Sequence, residues 1–191
     1  MQIKTLKSIK NFKGKRVLVR ADFNVPIKKG KIKEIYKIEK SLPTINFLIN
    51  KGAKVILLSH LGRPEGLDKN LSLKPVAVVL SEILKKEIKI SDFNKIKKNP
   101  ENYWSEAKNL ISKMENGEVV VLENVRFVKG EEKNDKTVAK KFATLGDIFV
   151  LDGFAVAHRD SASVTGIAKF LSVSAGFLME EEIIGLNKIM K

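Results

Sequence analysis

Histidine and arginine are scarce in this chain, and they are not scattered. Its 191 residues carry two histidines and five arginines. Both histidines and three of the arginines stand just beyond strongly apolar runs. His60 and Arg63 follow Lys54-Val55-Ile56-Leu57-Leu58-Ser59, and Arg126 follows Glu118-Val119-Val120-Val121-Leu122. His158 and Arg159 follow Ile148-Phe149-Val150-Leu151, while Asp22 and Asn24 follow Arg16-Val17-Leu18-Val19-Arg20. The planar arginine fork makes paired, charge-assisted hydrogen bonds to phosphate or carboxylate. Three arginines and two histidines in one place can hold a small, multiply charged anion. An Asp and an Asn beside them can exchange hydrogen bonds with hydroxyl groups. Phosphoryl transfer is the chemistry best served by such a set, because it rests on positioning and charge neutralisation more than on a covalent nucleophile. Cysteine is absent, and there is no Walker A loop and no nucleophile elbow with Ser-His-Asp order.

Each of these residues also has a plainer role open to it. Asp22 and Asn24 suit an ordinary turn. Gly62-Arg63-Pro64 suits a loop, His60 a buried structural histidine, and Asp152-Gly153 a turn. Arg126 has Glu123 and Glu131 near in sequence for a surface ion pair. What the plain roles leave unexplained is the recurrence at four strand ends. The run Glu180-Glu181-Glu182 differs, and reads as the solvated face of a terminal helix.

The elements that must position these residues follow from hydrophobic spacing. Four strands are expected, at Arg16–Arg20, Lys54–Ser59, Glu118–Leu122 and Asp147–Leu151, with a further short one at Glu87–Ile90. Helices are expected over Glu34–Asn50, with Pro43 kinking it or starting a second helix, and from Ser72 to about Lys86. Trp104–Met114, Asp135–Thr144, Gly166–Leu171 and Gly176–Lys191 complete the helical set. Lys28–Lys31 reads as an exposed turn, Ser91–Pro100 as polar loop, and Gly130–Asn134 as a charged surface loop. Strands and helices alternate, which implies an α/β fold. Its mostly parallel sheet carries helices on both faces, a Rossmann-like three-layer sandwich. Open parallel sheets bind ligands outside their strand C-termini, where the rare cations fall.

Composition narrows the class. The length suits one α/β domain. No apolar run approaches the roughly 20 residues of a membrane helix, and a soluble, cytoplasmic protein is the expectation. The net charge of +14 comes mainly from lysines spread over the whole length. A lysine-rich nucleic-acid binder is one reading of that charge, but no basic stripe interleaved with aromatics is visible. A small anionic substrate fits the same field.

Four motifs in order carry a family resemblance. They are Arg20-Ala21-Asp22-Phe23-Asn24-Val25-Pro26, Ser59-His60-Leu61-Gly62-Arg63-Pro64, Leu122-Glu123-Asn124-Val125-Arg126-Phe127, and Asp152-Gly153-Phe154 through Ala157-His158-Arg159. Together they resemble phosphoglycerate kinase from end to end of the chain, and Ala175-Gly176-Phe177-Leu178-Met179 resembles the start of that family's interdomain helix. The resemblance implies a substrate-binding α/β domain over 1–175 and the beginning of the interdomain helix over 176–191. The nucleotide-binding domain, which in the family holds MgATP or MgADP, is absent. The implied reaction is reversible phosphoryl transfer between 1,3-bisphosphoglycerate and ADP, giving 3-phosphoglycerate and ATP in glycolysis.

By the same resemblance, Asp22, Phe23, Asn24, Lys37, His60, Leu61, Gly62, Arg63, Arg126 and Arg159 bind substrate, and Lys37 is the catalytic position. No metal or nucleotide site is expected in this half. The pattern departs from the family at three places. Lys37 stands where the family has an arginine, keeping the charge but losing the fork. Gly153, Ala155 and Val156 alter the fourth motif, and Ser161 replaces a histidine. The chain alone is therefore expected to bind 3-phosphoglycerate weakly, as a monomer with negligible kinase activity, its natural partner being a complementary nucleotide-binding domain. A stand-alone, non-catalytic phosphoglycerate-binding module is the alternative.

Overall fold

The computed structural model of the chain describes residues 4–28 and 30–189. In chain order the strands are β1 (Arg16–Ala21), β2 (Ile27–Lys28), β3 (Lys31–Ile32), β4 (Lys54–Leu58), β5 (Lys89–Ile90), β6 (Val119–Val121), β7 (Ile148–Asp152) and β8 (Val173–Ala175). The helices are α1 (Tyr36–Asn50), α2 (Lys74–Leu84), α3 (Phe93–Lys98), α4 (Asn102–Ser112), α5 (Lys136–Ala143), α6 (Phe154–Ala157) and α7 (Phe177–Ile189). Six strands form one sheet in the order β5-β6-β4-β1-β7-β8, and every pairing in it is parallel. Strands β2 and β3 make a separate antiparallel hairpin.

The central strands are apolar on both faces because both faces are covered. Successive side chains point to opposite sides, and the register aligns Val17 with Val55 and Leu18 with Ile56. Val17, Val19, Val55, Leu57, Val121 and Val150 therefore pack in one layer with Ile38, Ile45 and Leu48 of α1 and Val76 and Leu80 of α2. Leu18, Ile56, Leu58, Val120 and Phe149 pack in the other with Tyr103, Trp104 and Ala107 of α4 and Phe142 of α5. Burying each such side chain contributes roughly 1.5–3 kcal/mol, and the outcome is the expected three-layer α/β sandwich. Helix α7 joins the first layer, where Phe177 meets Phe47 edge-on at 5.2 Å.

Several expectations need correction. The sheet has six strands: the short strand expected at Glu87–Ile90 is present as β5 at one edge, and the unanticipated β8 pairs on at the other. Pro43 neither divides nor ends α1, which runs unbroken from Tyr36 to Asn50. Its missing N–H forfeits one helical bond, while Ser41, Thr44 and Ile45 around it are fully buried against the sheet. Ser91–Pro100 is not all loop. Asp92 caps α3, accepting from Asn94 N at 2.8 Å and Lys95 N at 3.4 Å. Gly166–Leu171 is a 3-10 turn, Ile167–Lys169, preceded by a π-helical turn, Ala162–Gly166. The expected turn at Lys28–Lys31 is the tip of the β2–β3 hairpin, and its Lys29 lies outside the described residues. So do residues 190 and 191 at the end of the expected terminal helix.

Candidate functional site

The parallel sheet brings the loops after β1, β4, β6 and β7 to one edge, and buried polar groups lock them to each other. Asn124, fully buried after β6, donates through Nδ2 to Leu61 O at 2.8 Å and Leu71 O at 2.9 Å. Its Oδ1 accepts from Arg126 N at 3.1 Å and starts the 3-10 turn Val125–Phe127. Asn24 Oδ1 accepts from Gly62 N at 2.9 Å, and Phe23 N donates to Ser59 Oγ at 2.8 Å. Gly62 takes φ +61°, and a Cβ there would lie 2.7 Å from Leu71 Cδ2. Only glycine meets both constraints without strain. The side chains of Phe23 and Leu61 are in the core, so these two residues offer the site only their backbone.

A cavity of about 200 Å³ opens where these loops meet. Arg20, His60, Arg126, Glu131, Glu132, Arg159, Asp160 and Ser161 line it. Arg126 donates through Nη1 to Gly62 O, and its Nη2 pairs with Glu132 Oε1 at 2.8 Å. Two nitrogens have no protein partner although both are buried: His60 Nε2 and Arg159 Nε. Orphaned buried polar groups are uncommon and costly, and the guanidinium N–H of Arg159, with Arg126 beside it, calls for an acceptor.

The electrostatics agree. Burial, then the charges of Arg20 and Arg126, hold the His60 imidazole well below its ordinary 6.5, so it is neutral near pH 7. Burial also pulls Arg20 down to about 10, against the opposing pull of Glu131 and Asp22, which leaves it a cation. Arg126 is lowered chiefly by its own burial, with Arg159 and Arg63 acting the same way and Glu132 opposing them. Glu131, 2% exposed, is pushed up by burial while Ser163 and Arg20 draw it back.

Of the residues anticipated from sequence, His60, Arg126 and Arg159 line this cavity. Asp22, Asn24, Lys37 and Gly62 form an adjoining edge, where Lys37 Nζ pairs with Asp22 Oδ2 at 2.8 Å. Arg63 and His158 are exposed and outside the cavity lining, although they too follow strand ends. Arg16 is at the far edge of the sheet, where Nη2 pairs with Asp147 at 2.6 Å and braces the entry to β1. Arg126 pairs with neither Glu123 nor Glu131 but with Glu132. The sequence reading missed Arg20, Glu131, Glu132, Asp160 and Ser161. A charge inside an apolar strand was the available signal for Arg20. None marked Glu131, whose charged segment Gly130–Asn134 reads as surface yet turns this carboxylate inward.

A larger cavity, about 930 Å³, lies elsewhere, among β3, α2 and α3. Among the described residues its cations are Lys31, Lys69 and Lys74, with no arginine or histidine in its lining. It does not compete as the site for a tightly ligated phosphate.

Known proteins agree with this geometry. The family model for phosphoglycerate kinase matches residues 6–191. A curated relative named phosphoglycerate kinase, from Borreliella afzelii, is 49% identical over 193 aligned residues, covering 100% of this chain and 47% of that protein. Another of the same name, from Borrelia garinii subsp. bavariensis, is 50% identical over 194, covering 100% and 47%. The solved structure of phosphoglycerate kinase from Coxiella burnetii superposes with a TM-score of 0.83 at 38% identity, over 98% of this chain and 45% of that one. That from Pyrococcus horikoshii gives 0.84 at 35% identity, over 97% and 45%. The chain thus spans about half the length of the curated relatives it matches. Sheet order, loop chemistry and likeness converge, and the chain belongs to the phosphoglycerate kinase family.

Proposed function

We propose that this chain supplies the phosphoglycerate-binding half of a phosphoglycerate kinase, which moves a phosphoryl group reversibly between 1,3-bisphosphoglycerate and ADP to give 3-phosphoglycerate and ATP. One observation carries the reading: His60 Nε2 and Arg159 Nε, both buried without protein partners, border one cavity with Arg126. A phosphate group has the acceptor oxygens and the charge to satisfy all three. Asp22 and Asn24, on the adjoining edge, suit the hydroxyl of the glycerate. Backbone groups of Phe23, Leu61 and Gly62 and the side chain of Arg63 complete the substrate loops. Lys37 neutralises charge at the transferring phosphoryl group as a point charge, without the two-pronged grip of an arginine.

MgATP or MgADP belongs to a nucleotide-binding half outside this sequence. Among the described residues no group of three or more His, Cys, Asp or Glu is placed to hold a metal ion. Residues 1–175 make up the substrate domain, and the helix Phe177–Ile189 leads toward the other half. The protein works in the cytoplasm as a monomer, and among the described residues no helix is long and apolar enough to cross a membrane. Neither a stand-alone binding module nor a nucleic-acid binder has an observation of its own in its favour.

Titration calorimetry tests the reading directly. The folded chain is expected to bind 3-phosphoglycerate, to ignore glycerate, and to lose at least tenfold in affinity with Arg126→Leu, since bonds to charged groups contribute about 1.5–3 kcal/mol. No heat with millimolar 3-phosphoglycerate would overturn it. Robust ATP formation by the chain alone would refute the division into halves.

A further inference from the structure

A line of buried groups runs to His60 from Glu131, and two of them, Glu131 and Arg20, also contribute to the cavity wall. Glu131 accepts at both oxygens, from Ser163 N at 2.9 Å and from Ser163 Oγ at 2.5 Å. Ser163 Oγ in turn accepts from Arg20 Nε at 3.1 Å. Arg20 donates through Nη1 to Ala21 O at 2.6 Å, and its Nη2 lies 3.3 Å from His60 Nδ1. Beyond that, His60 Nε2 is buried with no protein partner. Glu131, Arg20 and His60 are each 2% exposed and Ser163 is 0% exposed, so bulk water does not share these bonds.

The direction of every bond in this line follows from chemistry. A guanidinium has five N–H donors and no acceptor. Arg20 can therefore approach His60 Nδ1 favourably only if that nitrogen offers its lone pair. The imidazole proton is then on Nε2. At the other end, Ser163 Oγ spends its lone pair on Arg20, so its own proton goes to Glu131, which accepts at both oxygens as a carboxylate. The charge of Glu131 offsets the buried charge of Arg20. The charged groups acting on His60 are Arg20 and Asp22 at the end of β1, Arg126 after β6 and Arg159 after β7. Of these only Asp22 favours an imidazolium.

We propose that Glu131, Ser163 and Arg20 are positioning residues that hold His60 as the neutral Nε2–H tautomer, with that N–H presented to the cavity as a fixed donor for an anion's oxygen. The donor role deepens the phosphoglycerate reading and rests on it; the tautomer does not. A fixed neutral donor offers one hydrogen bond of set direction, and its strength is the same at pH 6 and pH 8. An imidazolium would instead grip any anion more tightly as pH fell.

Two-bond nitrogen–proton correlation spectra of the imidazole rings in the full chain, with and without 3-phosphoglycerate, test this. In the free chain His60 Nδ1 is expected to show the shift of a lone-pair nitrogen and Nε2 that of an N–H, unchanged from about pH 6 to 8, whereas an ordinary histidine titrates through that range. A proton on Nδ1, or titration in this range, overturns the proposal in the unmutated protein. In Ser163→Ala the two nitrogens are expected to move toward averaged shifts, with roughly tenfold weaker 3-phosphoglycerate binding, the size of one lost bond to a charged group. Ser163→Thr, which keeps the hydroxyl, is expected to restore the tautomer signature. Unchanged His60 shifts in a folded Ser163→Ala chain would remove Ser163 and Glu131 from the positioning role. If the tautomer is as stated but 3-phosphoglycerate leaves the Nε2–H resonance in place, the phosphoglycerate reading fails and the orienting line survives.

Discussion

Replacing Asp152 by Asn should change the pH dependence of stability by a predictable amount. Asp152 ends β7, is fully buried, and sits under the start of α7. Its Oδ1 accepts from Leu178 N at 3.0 Å, while Oδ2 is buried without a partner. Burial lifts the carboxyl from its ordinary 3.8 to about 6, and the nearby Thr44 hydroxyl and the amides of Leu178 and Met179 draw it only partly back. The folded chain therefore holds this proton more tightly than the unfolded chain. Below about pH 3 the group is protonated in both states and takes nothing from stability. As pH rises toward 6 the unfolded state sheds the proton first, and above 6 the folded state has lost about 3 kcal/mol. Asn does not titrate, but its NH2 would occupy the unpartnered position at a cost of about 1–3 kcal/mol at every pH. Near pH 3 the variant should thus be less stable than the parent by that amount, and near pH 7 equal or more stable by up to about 2 kcal/mol. Glu123 and Glu131, also raised by burial, are present in both proteins and cancel in the difference. Urea unfolding of both chains at a series of pH values reads that difference. A difference that stays flat to within about 0.5 kcal/mol from pH 3 to 7 would refute the account, since the full swing expected is about 3.

Two other substitutions probe the same molecule. A Cβ on Gly176 would lie 2.1 Å from Asp152 Oδ1, so Gly176→Ala should lower the unfolding free energy by about 2–3 kcal/mol, the usual scale for an overpacked site; a loss under about 0.5 would mean that α7 is free to lift away from β7. Glu132 pairs with Arg126 at the cavity wall, with its side chain 55% exposed, and competes there with any bound anion. Glu132→Gln should tighten 3-phosphoglycerate binding by calorimetry by roughly two- to fivefold, in keeping with the modest strength of an exposed pair, whereas weaker binding would make Glu132 an orienting group for Arg126.

The sheet was legible where a strand carries enough apolar residues to declare itself. Runs such as Val17-Leu18-Val19 and Val55-Ile56-Leu57-Leu58 serve two buried faces, and no loop or surface helix needs such a composition. Edge strands lack that signature. β5 and β8 are two and three residues long and contain Lys89 and Ser174, so the partner strand defines them more than their own composition does. Helix α3 was hidden for a related reason. Its six residues, Phe93–Lys98, bury only Ile96, and the signal that existed was the Asp92 cap rather than any periodicity. Pro43 starts no second helix, because its local cost is fixed while the tertiary burial that outweighs it is invisible from sequence.

The site divides along the same line. His60, Arg126 and Arg159 were recognisable because a rare cation just past a buried strand has few structural reasons to be there. Arg63 and His158 satisfy the identical criterion and point to solvent, since position along the chain says nothing about side-chain direction. The groups that brace His60 were the hardest to see, and the reason is physical. A positioning residue is chosen for the partner it holds, so a serine, a glutamate and a strand arginine acquire meaning only through distances of about 3 Å across 143 positions of sequence. Arg20 shows this best. On β1 it is simply the last charge of a short strand, yet its Nη2 meets His60 and its Nε meets Ser163, which joins the ends of three crossovers in one buried line. An anion site of this kind therefore requires the parallel topology before it requires the cations. Only a sheet that returns every strand in the same sense can bring the ends of β1, β4, β6 and β7 together while leaving their connections on the outer layers.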